Sequence, residues 1–357
     1  PRSGRGQDHH AAAWLPVTKG PADLSPTGDG DGPLMQAVAG ALADDRPVVL
    51  AVALSGGGDS MALLDLAGRV QAARGGRVLA VTVDHRLRPE AADEARLAAA
   101  RCAAIGVGHQ TLVWDHGPVR GNLQDQARRA RYRLIGDWAR GRGVSHILLG
   151  HTADDQAETL LMGLARGAGL DGLSGMRPRW TDPGGVTWVR PLLGISRSAL
   201  RDHLTGRGIG WIDDPSNDDD RFTRVKARRV LAALAPLGIT GAGLAAVAGH
   251  LGQAQAALQQ TVRDVARRIA RDAAGGLTFD RAALLAEPHD ICRRLLIAAL
   301  RWVSGGEHPP RQADLDRLIA AIAQGRAATL AGCRLLHQGP RLWLCREGRA
   351  VAGLTTP

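Results

Sequence analysis

Apolar and polar positions in the first two thirds of the chain alternate between two periods. Short apolar runs recur at residues 47–54 (PVVLAVAL), 77–84 (RVLAVTVD), 109–114, 146–150 (HILLG) and 188–193. The first and second have the length and β-rich composition of strands buried on both faces. Between the runs, apolar residues fall at helical spacing over 61–74, 89–105, 122–140 and 153–166. This alternation predicts an α/β fold, a parallel sheet flanked by helices. Ligands in such sheets bind beyond the carboxyl ends of the strands. From about residue 231 the pattern becomes Ala- and Leu-rich and helical, at 241–271, 291–303 and 312–324. Two β-like stretches, 328–335 and 341–345, close the chain as an expected hairpin. We therefore expect a catalytic domain over 34–232 and a smaller, mainly helical region over 233–357, with a boundary near Pro236. Residues 1–33, rich in Gly, Pro, Asp and His, are expected to form a disordered tail.

Composition narrows the class only slightly. A hydrophobic content of 45% with 22% charged residues over 357 residues fits an ordinary globular chain. No apolar run reaches the roughly 18 residues of a transmembrane helix, so no membrane role and a cytoplasmic location are expected. Cys102, Cys292, Cys333 and Cys345 show no metal-type spacing. The net charge of +10 suits a polyanionic partner. Only Lys19 and Lys226 are lysines among the 45 basic residues, however, so a compositional preference for arginine explains part of that charge.

The first candidate site is the loop Ser55-Gly56-Gly57-Gly58-Asp59-Ser60, which follows a strand and opens a helix. Unpaired N–H groups and the positive end of a helix dipole favour an anion there. Three glycines let the backbone approach phosphates, the serines add hydroxyl donors, and Asp59 can hold Mg²⁺ against the same phosphates. A Walker A loop would need Gly-Lys-Ser/Thr, and neither lysine lies in one. The plain alternative is a glycine-rich turn that binds nothing.

Other candidates follow later strands. In Asp84-His85-Arg86-Leu87-Arg88, His85 and the arginines can close on a phosphate or a nucleotide edge. The helix beginning near Asn122 carries Gln124, Arg128 and Arg131 at spacings that share one face, with Tyr132 beside them. After HILLG, the segment His151-Thr152-Ala153-Asp154-Asp155-Gln156-Ala157-Glu158 clusters three carboxylates that can bind Mg²⁺, hold an ammonium group or accept a proton. Thr152 and Asp155 also read as a capping box, which accounts for one acid and leaves the others. Arg166 ends that helix, and Arg197, Arg224 and Arg228 lie where they can reach back to a substrate or to RNA.

The loop SGGGDS resembles the PP-loop of enzymes that split ATP into AMP and pyrophosphate. Taken in order, SGGGDS, VDHRLR, NLQDQARRARY, LLGHTADDQAETLLMGLARGAGLDGLSGM, RPLL and DDPSN resemble the tRNA(Ile)-lysidine synthase family over about residues 48–229. The fourth block is the most specific to that family. The resemblance implies ATP and Mg²⁺ as cofactors, and tRNA(Ile) with a CAU anticodon and L-lysine as partners. It also implies adenylation of the wobble cytidine before lysine attacks, and leaves a homodimer as one option. The cofactor-binding residues implied are the 55–60 loop with Asp84 and His85. Asp59, Asp154, Asp155 and Glu158 are the implied catalytic residues, with Asp59 and Asp154 at the metal. Arg88, Asn122, Gln124, Arg128, Arg131, Tyr132, His151, Arg166, Arg197, Arg224 and Arg228 are implied contacts for tRNA or lysine. The chain departs from the family at Arg86, where Gly is common, at Thr152, often a second His, and at Val225, commonly Asn. Two alternatives stand beside this reading. One is a related tRNA thiolase, which only Cys102 could serve in the catalytic half; the other is a non-catalytic basic RNA-binding protein.

Overall fold

The structure is a computed structural model that describes residues 32–87, 91–117, 121–212, 223–273, 275–306 and 308–348. Most of the expected tail, Arg88 and the 213–217 DDPSN turn lie outside the described residues. The chain divides into two compact units, Pro1–Gly252 and Gln253–Pro357.

The first unit runs through α1 (Gly32–Ala41), β1 (Val49–Ala53), α2 (Gly58–Ala72), β2 (Arg77–Asp84), α3 (Ala91–Ala104), β3 (Gly108–Val113) and α4 (Leu123–Gly141). It continues with β4 (His146–Leu149), α5 (Ala153–Leu164), α6 (Leu170–Leu173), β5 (Arg179–Thr181), β6 (Thr187–Val189), α7 (Arg197–Gly206) and α8 (Thr223–Leu234). The strand order is β3-β2-β1-β4-β6-β5. Every neighbouring pair is parallel except β5 with β6.

Successive side chains of a strand face opposite ways, and the core obeys that rule. Leu50, Val52 and Leu148 join the cluster formed with α1, α2 and α7, through residues such as Val38, Leu64 and Leu200. Ala51 and Ile147 join the opposite cluster with Ile135 and Ala139 of α4 and with Trp188. Both faces are covered, so β1 reads as an unbroken apolar run. Full burial of each large aliphatic side chain here contributes about 1.5–3 kcal/mol.

The antiparallel β5 is an addition to the all-parallel expectation. It is three residues long and pairs locally with β6, Trp180 opposite Trp188, so the hydrophobic pattern carried little signal for it. The expected 188–193 strand stops at Val189, and Pro191, which lacks an N–H donor, soon follows.

Because β2 and β3 lie on one side of β1 and β4 on the other, the strand order reverses between β1 and β4. The two richest motifs, residues 55–60 and 151–158, follow these two strands. The topology therefore brings them together at the site where open α/β sheets bind ligands.

The division into units falls inside α9 (Gly241–Ile269), later in sequence than the change in composition. The second unit contains β7 (Ala270–Ala273), β8 (Gly276–Asp280), α10 (Arg281–Ala286), α11 (His289–Ser304), α12 (Gln312–Ala323), β9 (Ala328–Leu330), β10 (Cys333–Gln338) and β11 (Arg341–Arg346). α11 and α12 are the expected helices, α10 is an addition, and β10 pairs with β11 as the expected hairpin. The hairpin belongs to a larger antiparallel sheet, β7-β8-β11-β10-β9. β8 escaped the sequence reading because its partner, β11, lies more than sixty residues away, with Leu277 opposite Leu344. Phe279, Leu296, Ile322 and Leu342 fill this unit's core.

Among the described residues, no single helix is long and apolar enough to cross a membrane.

Candidate active site

The loop after β1 is shaped by its own hydroxyls. The Ser60 hydroxyl donates to the Gly57 carbonyl (3.0 Å) and accepts from the Ser55 N–H (3.1 Å). Gly56 has φ 84°, the left-handed region that glycine tolerates best. Its carbonyl accepts from the Ile212 N–H at 2.9 Å. An added Cβ on Gly56 would lie 2.7 Å from Ile212 Cδ1, and one on Gly58 3.5 Å from Trp211 Cδ1. The pair Trp211 and Ile212 thus forms a wall of the loop. Sequence reasoning passed over both, and the only available signal was an aromatic residue just before DDPSN.

Gly150, at the end of β4, lies against the same loop. A Cβ there would come within 3.1 Å of the backbone of Asp59 and Ser60. Gly150→Ala is therefore expected to push the loop aside, costing about 1–3 kcal/mol. The expected readout is a lower melting temperature together with weaker ATP binding by calorimetry. An alanine variant with wild-type ATP affinity would show that the close approach is not required.

The acids after β4 are held by local structure. Thr152 caps α5 in a capping box with Asp155, whose Oδ2 accepts from the Thr152 N–H (2.8 Å) and hydroxyl (2.9 Å). Capping thus occupies one oxygen of Asp155, which weakens it as a candidate base. Asp154 Oδ2 accepts the backbone N–H of Arg197 at 2.7 Å, where the positive end of α7 favours a carboxylate. Ser196, the N-cap of α7, fixes that first turn by accepting from the Ala199 N–H.

Arg197 ties the two motifs together. Its Nε donates to Asp59 Oδ2 (3.1 Å) and its Nη2 to Asp155 Oδ1 (3.3 Å), with Nη1 3.7 Å from Glu158 Oε1. Glu158 is fully buried and its Oε1 accepts from Arg228 Nε at 2.6 Å. Its Oε2 is buried with no hydrogen-bond partner among the described residues. Burial raises the Asp59 carboxyl above its usual value, opposed by Arg197 and reinforced by Asp155 and Asp154. Burial acts to lower the Arg197 guanidinium, but Asp59, Asp155 and Glu158 together hold it raised. Among the described residues, the carboxylates of Asp59, Asp154, Asp155 and Glu158 thus gather around the guanidiniums of Arg197 and Arg228, an excess of negative charge. Such a nest accepts a cation. Among the described residues, no three His, Cys, Asp or Glu side chains form a self-sufficient metal cage.

The nucleotide-side residues behave differently. Asp84 is buried at the end of β2, and its Oδ1 accepts from the Arg86 N–H at 2.8 Å. Arg86 takes φ 50°, which explains why glycine is common at this position in the family the sequence resembles. Arg131 reaches His85 Nε2 (3.0 Å from Nη2), so that nitrogen accepts and the imidazole is neutral. Arg190 Nε likewise donates to His151 Nδ1 at 3.1 Å. Burial first, then the neighbouring arginines, lowers both imidazoles to about 4.

Both groups oppose protonation in the fold. The stability they contribute is present above the unfolded value near 6.5 and is lost as pH falls from there toward 4. In an NMR titration, the resonances of both rings should stay neutral and unshifted between pH 8 and 5.5. A midpoint near 6.5 for either would refute the assignment.

The remaining candidates lie apart from the acid nest. Arg128 and Arg131, placed on one face by spacing, diverge: Arg131 contacts His85, whereas the Arg128 guanidinium sits 5.2 Å from the Tyr132 ring centroid. Asn122 is the N-cap of α4, accepting from the Asp125 N–H, and Gln124 is exposed beside it. Arg224 is exposed on α8. Arg166 is exposed beyond the far end of α5, about 12 Å along the helix from Glu158 and about 18 Å from Asp154 at a rise of 1.5 Å per residue. That distance removes it from the nest. Cys102 is buried, and burial pushes its thiol up to about 12, which does not suit a reactive cysteine.

Comparison with known proteins agrees with this fold. Residues 34–234 match the family model described as a PP-loop domain. A tRNA(Ile)-lysidine synthase of Ruegeria pomeroyi is 47% identical over 311 residues, covering 87% of this chain and 74% of that one. A protein of the same name from Bradyrhizobium diazoefficiens is 42% identical, covering 79% and 80%. Among solved structures, a U34-tRNA thiolase of Methanococcus maripaludis superposes with a TM-score of 0.54 at 16% identity, covering 63% of this chain and 78% of that one. That likeness concerns the fold alone.

Proposed function

The chain belongs to the tRNA(Ile)-lysidine synthase family of PP-loop enzymes, and from that premise we propose how its residues divide the reaction. The observation that carries the proposal is the Arg197 guanidinium seated among Asp59, Asp155 and Glu158, directly beside the PP-loop. A nest that holds an alkyl-linked cation next to a phosphate cradle suits a reaction between ATP and an amine.

In the first step, the C2 oxygen of the wobble cytidine of tRNA(Ile) bonds to the α-phosphorus of ATP, and pyrophosphate leaves. Backbone N–H groups at the start of α2, with the Ser55 and Ser60 hydroxyls, face the phosphates. Mg²⁺ takes one or two carboxylates and fills its other positions with phosphate and water. The surplus negative charge beside Asp59 fits that requirement. Asp59 would hold the ion, with Asp154 as second candidate, and the ion when bound would neutralise triphosphate charge.

In the second step, the ε-nitrogen of lysine bonds to C2, the C2–O bond breaks, and AMP leaves. The amine must first shed a proton. Glu158, buried and with Oε2 unpartnered, is our assignment for orienting the amine and taking that proton. Asp155, with one oxygen committed to its cap, adds charge but is the less available acceptor. A tRNA substrate also supports a cytoplasmic location. Exposed arginines of the second unit, such as Arg267, Arg268 and Arg271, support a further tRNA contact there.

The test uses purified protein, a tRNA(Ile) transcript with a CAU anticodon, ATP and labelled lysine. The expected result is label on the tRNA with stoichiometric pyrophosphate. Absence of tRNA-dependent pyrophosphate would overturn the enzymatic reading, and pyrophosphate without lysine incorporation would indicate another tRNA-modifying chemistry.

A further inference from the structure

Beside the acid nest, the first unit contains a cavity of about 820 Å³ between α4, α5 and the β5–β6 hairpin. Arg128, Tyr132, Trp180, Trp188, Arg190 and Arg224 line it. The reaction steps described above use none of these residues.

Arg190 is the residue that requires explanation. It is 6% exposed, yet it bonds only to neutral acceptors: His151 Nδ1 (3.1 Å), the Arg177 carbonyl (2.6 Å) and the Tyr132 hydroxyl (3.2 Å). No acidic side chain pairs with it among the described residues. A buried cation without a counter-charge is costly, and burial lowers this guanidinium despite the opposing effect of Tyr132. Arg128 and Arg224 add two further positive charges to the same walls. Asp182, the one acid lining the cavity among the described residues, is engaged by Trp188 Nε1 at 3.2 Å and lies 3.7 Å from Arg140. The cavity is therefore electropositive by construction.

The aromatic groups make it more than an anion hole. The Arg190 guanidinium lies 4.4 Å from the Trp180 ring centroid, and Trp180 and Trp188 run nearly parallel, 7° apart. Flat aromatic and guanidinium surfaces are what unstacked RNA bases pack against. A small carboxylate would need one guanidinium and no aromatic wall. The location also fits. Arg190 follows β6 as His151 follows β4, so the cavity shares the sheet end that carries the PP-loop, and Arg190 is bonded to His151.

We propose that this cavity is an RNA subsite for the nucleotide adjacent to the modified cytidine, with its phosphate on Arg190, Arg128 and Arg224 and its base against the Trp180–Arg190 surface. This deepens the proposed function and rests on it.

Trp180→Ala, Trp180→Phe and Arg128→Ala test the subsite, using a fluorescently labelled anticodon stem-loop RNA in anisotropy titrations and separate KM values for tRNA, ATP and lysine. Trp180→Ala should weaken RNA binding about tenfold or more, and Trp180→Phe should restore most of it. Arg128→Ala, a change at an exposed position, should reduce the slope of log affinity against log salt by about one. The KM for tRNA should rise in both alanine variants, with those for ATP and lysine nearly unchanged. A rise confined to the ATP or lysine KM would assign the cavity to that substrate and overturn the proposal. So would wild-type RNA affinity in both alanine variants. Failure of the wild-type protein to charge tRNA with lysine would instead overturn the underlying reading. Melting temperatures identify a misfolded variant, in which case the surface change at Arg128 decides.

Discussion

Asp59→Asn is expected to lower tRNA-dependent pyrophosphate release by about 100-fold or more, the scale of losing one preorganised charge at a phosphoryl centre, while leaving the protein as stable or slightly more so. The two halves of this expectation have one cause. Asn preserves the side chain's shape and can still accept from Arg197 Nε, so only the charge is lost. That charge is unfavourable for the fold, because burial raises the Asp59 carboxyl above its ordinary 3.8 despite the Arg197 contact. For an acid raised in the folded state, ionisation costs stability above the unfolded value and costs nothing once both states are protonated. Calorimetric stability of wild type and variant should therefore converge as pH falls below about 3.8 and separate as it rises. A variant that keeps full pyrophosphate release would remove Asp59 from the chemistry. One that is much less stable at neutral pH would make it a structural residue.

Glu158→Gln should separate the two steps. Lysine transfer is expected to fall about 100-fold while pyrophosphate release persists, so that adenylated tRNA accumulates. Gln fits the same fully buried position but offers neither a proton acceptor of comparable strength nor a charge for an ammonium group. The change also leaves Arg228, at 2.6 Å, and Arg197, at 3.7 Å, without this carboxylate. Breaking a fully buried ion pair costs about 3–5 kcal/mol. Both arginines are partly exposed and Arg197 keeps two other acids, so about 1–3 kcal/mol is expected, read from the urea midpoint. An equal fall in both steps would place Glu158 with the phosphates instead of the amine.

Much of this site was legible before any coordinates. The loop 55–60 could be read because phosphate cradling requires small residues and hydroxyls at fixed offsets after a strand. The acids at 154, 155 and 158 could be read because helical spacing gathers them. Spacing misled at α4, where Arg128 and Arg131 share a face in sequence yet serve separate neighbours, Tyr132 and His85. It also grouped Arg166 with the contacts for tRNA or lysine, and the length of α5 sets it apart from the acids. The capping reading of Thr152 and Asp155 was correct in detail, since it depends only on residues three apart.

The sequence by itself determined the strand and helix alternation, the phosphate loop and the identity of the acids, all properties of residues within about one helical turn or one strand of each other. Tertiary structure decided what those groups face. Arg197 reaches Asp59 across 138 residues, Arg228 reaches Glu158 across 70, and Arg190 lies against Trp180 with no acidic partner among the described residues. Charge pairing and desolvation act through space, and only the strand order, reversing between β1 and β4, brings the loop at 55–60 to the acids at 154, 155 and 158.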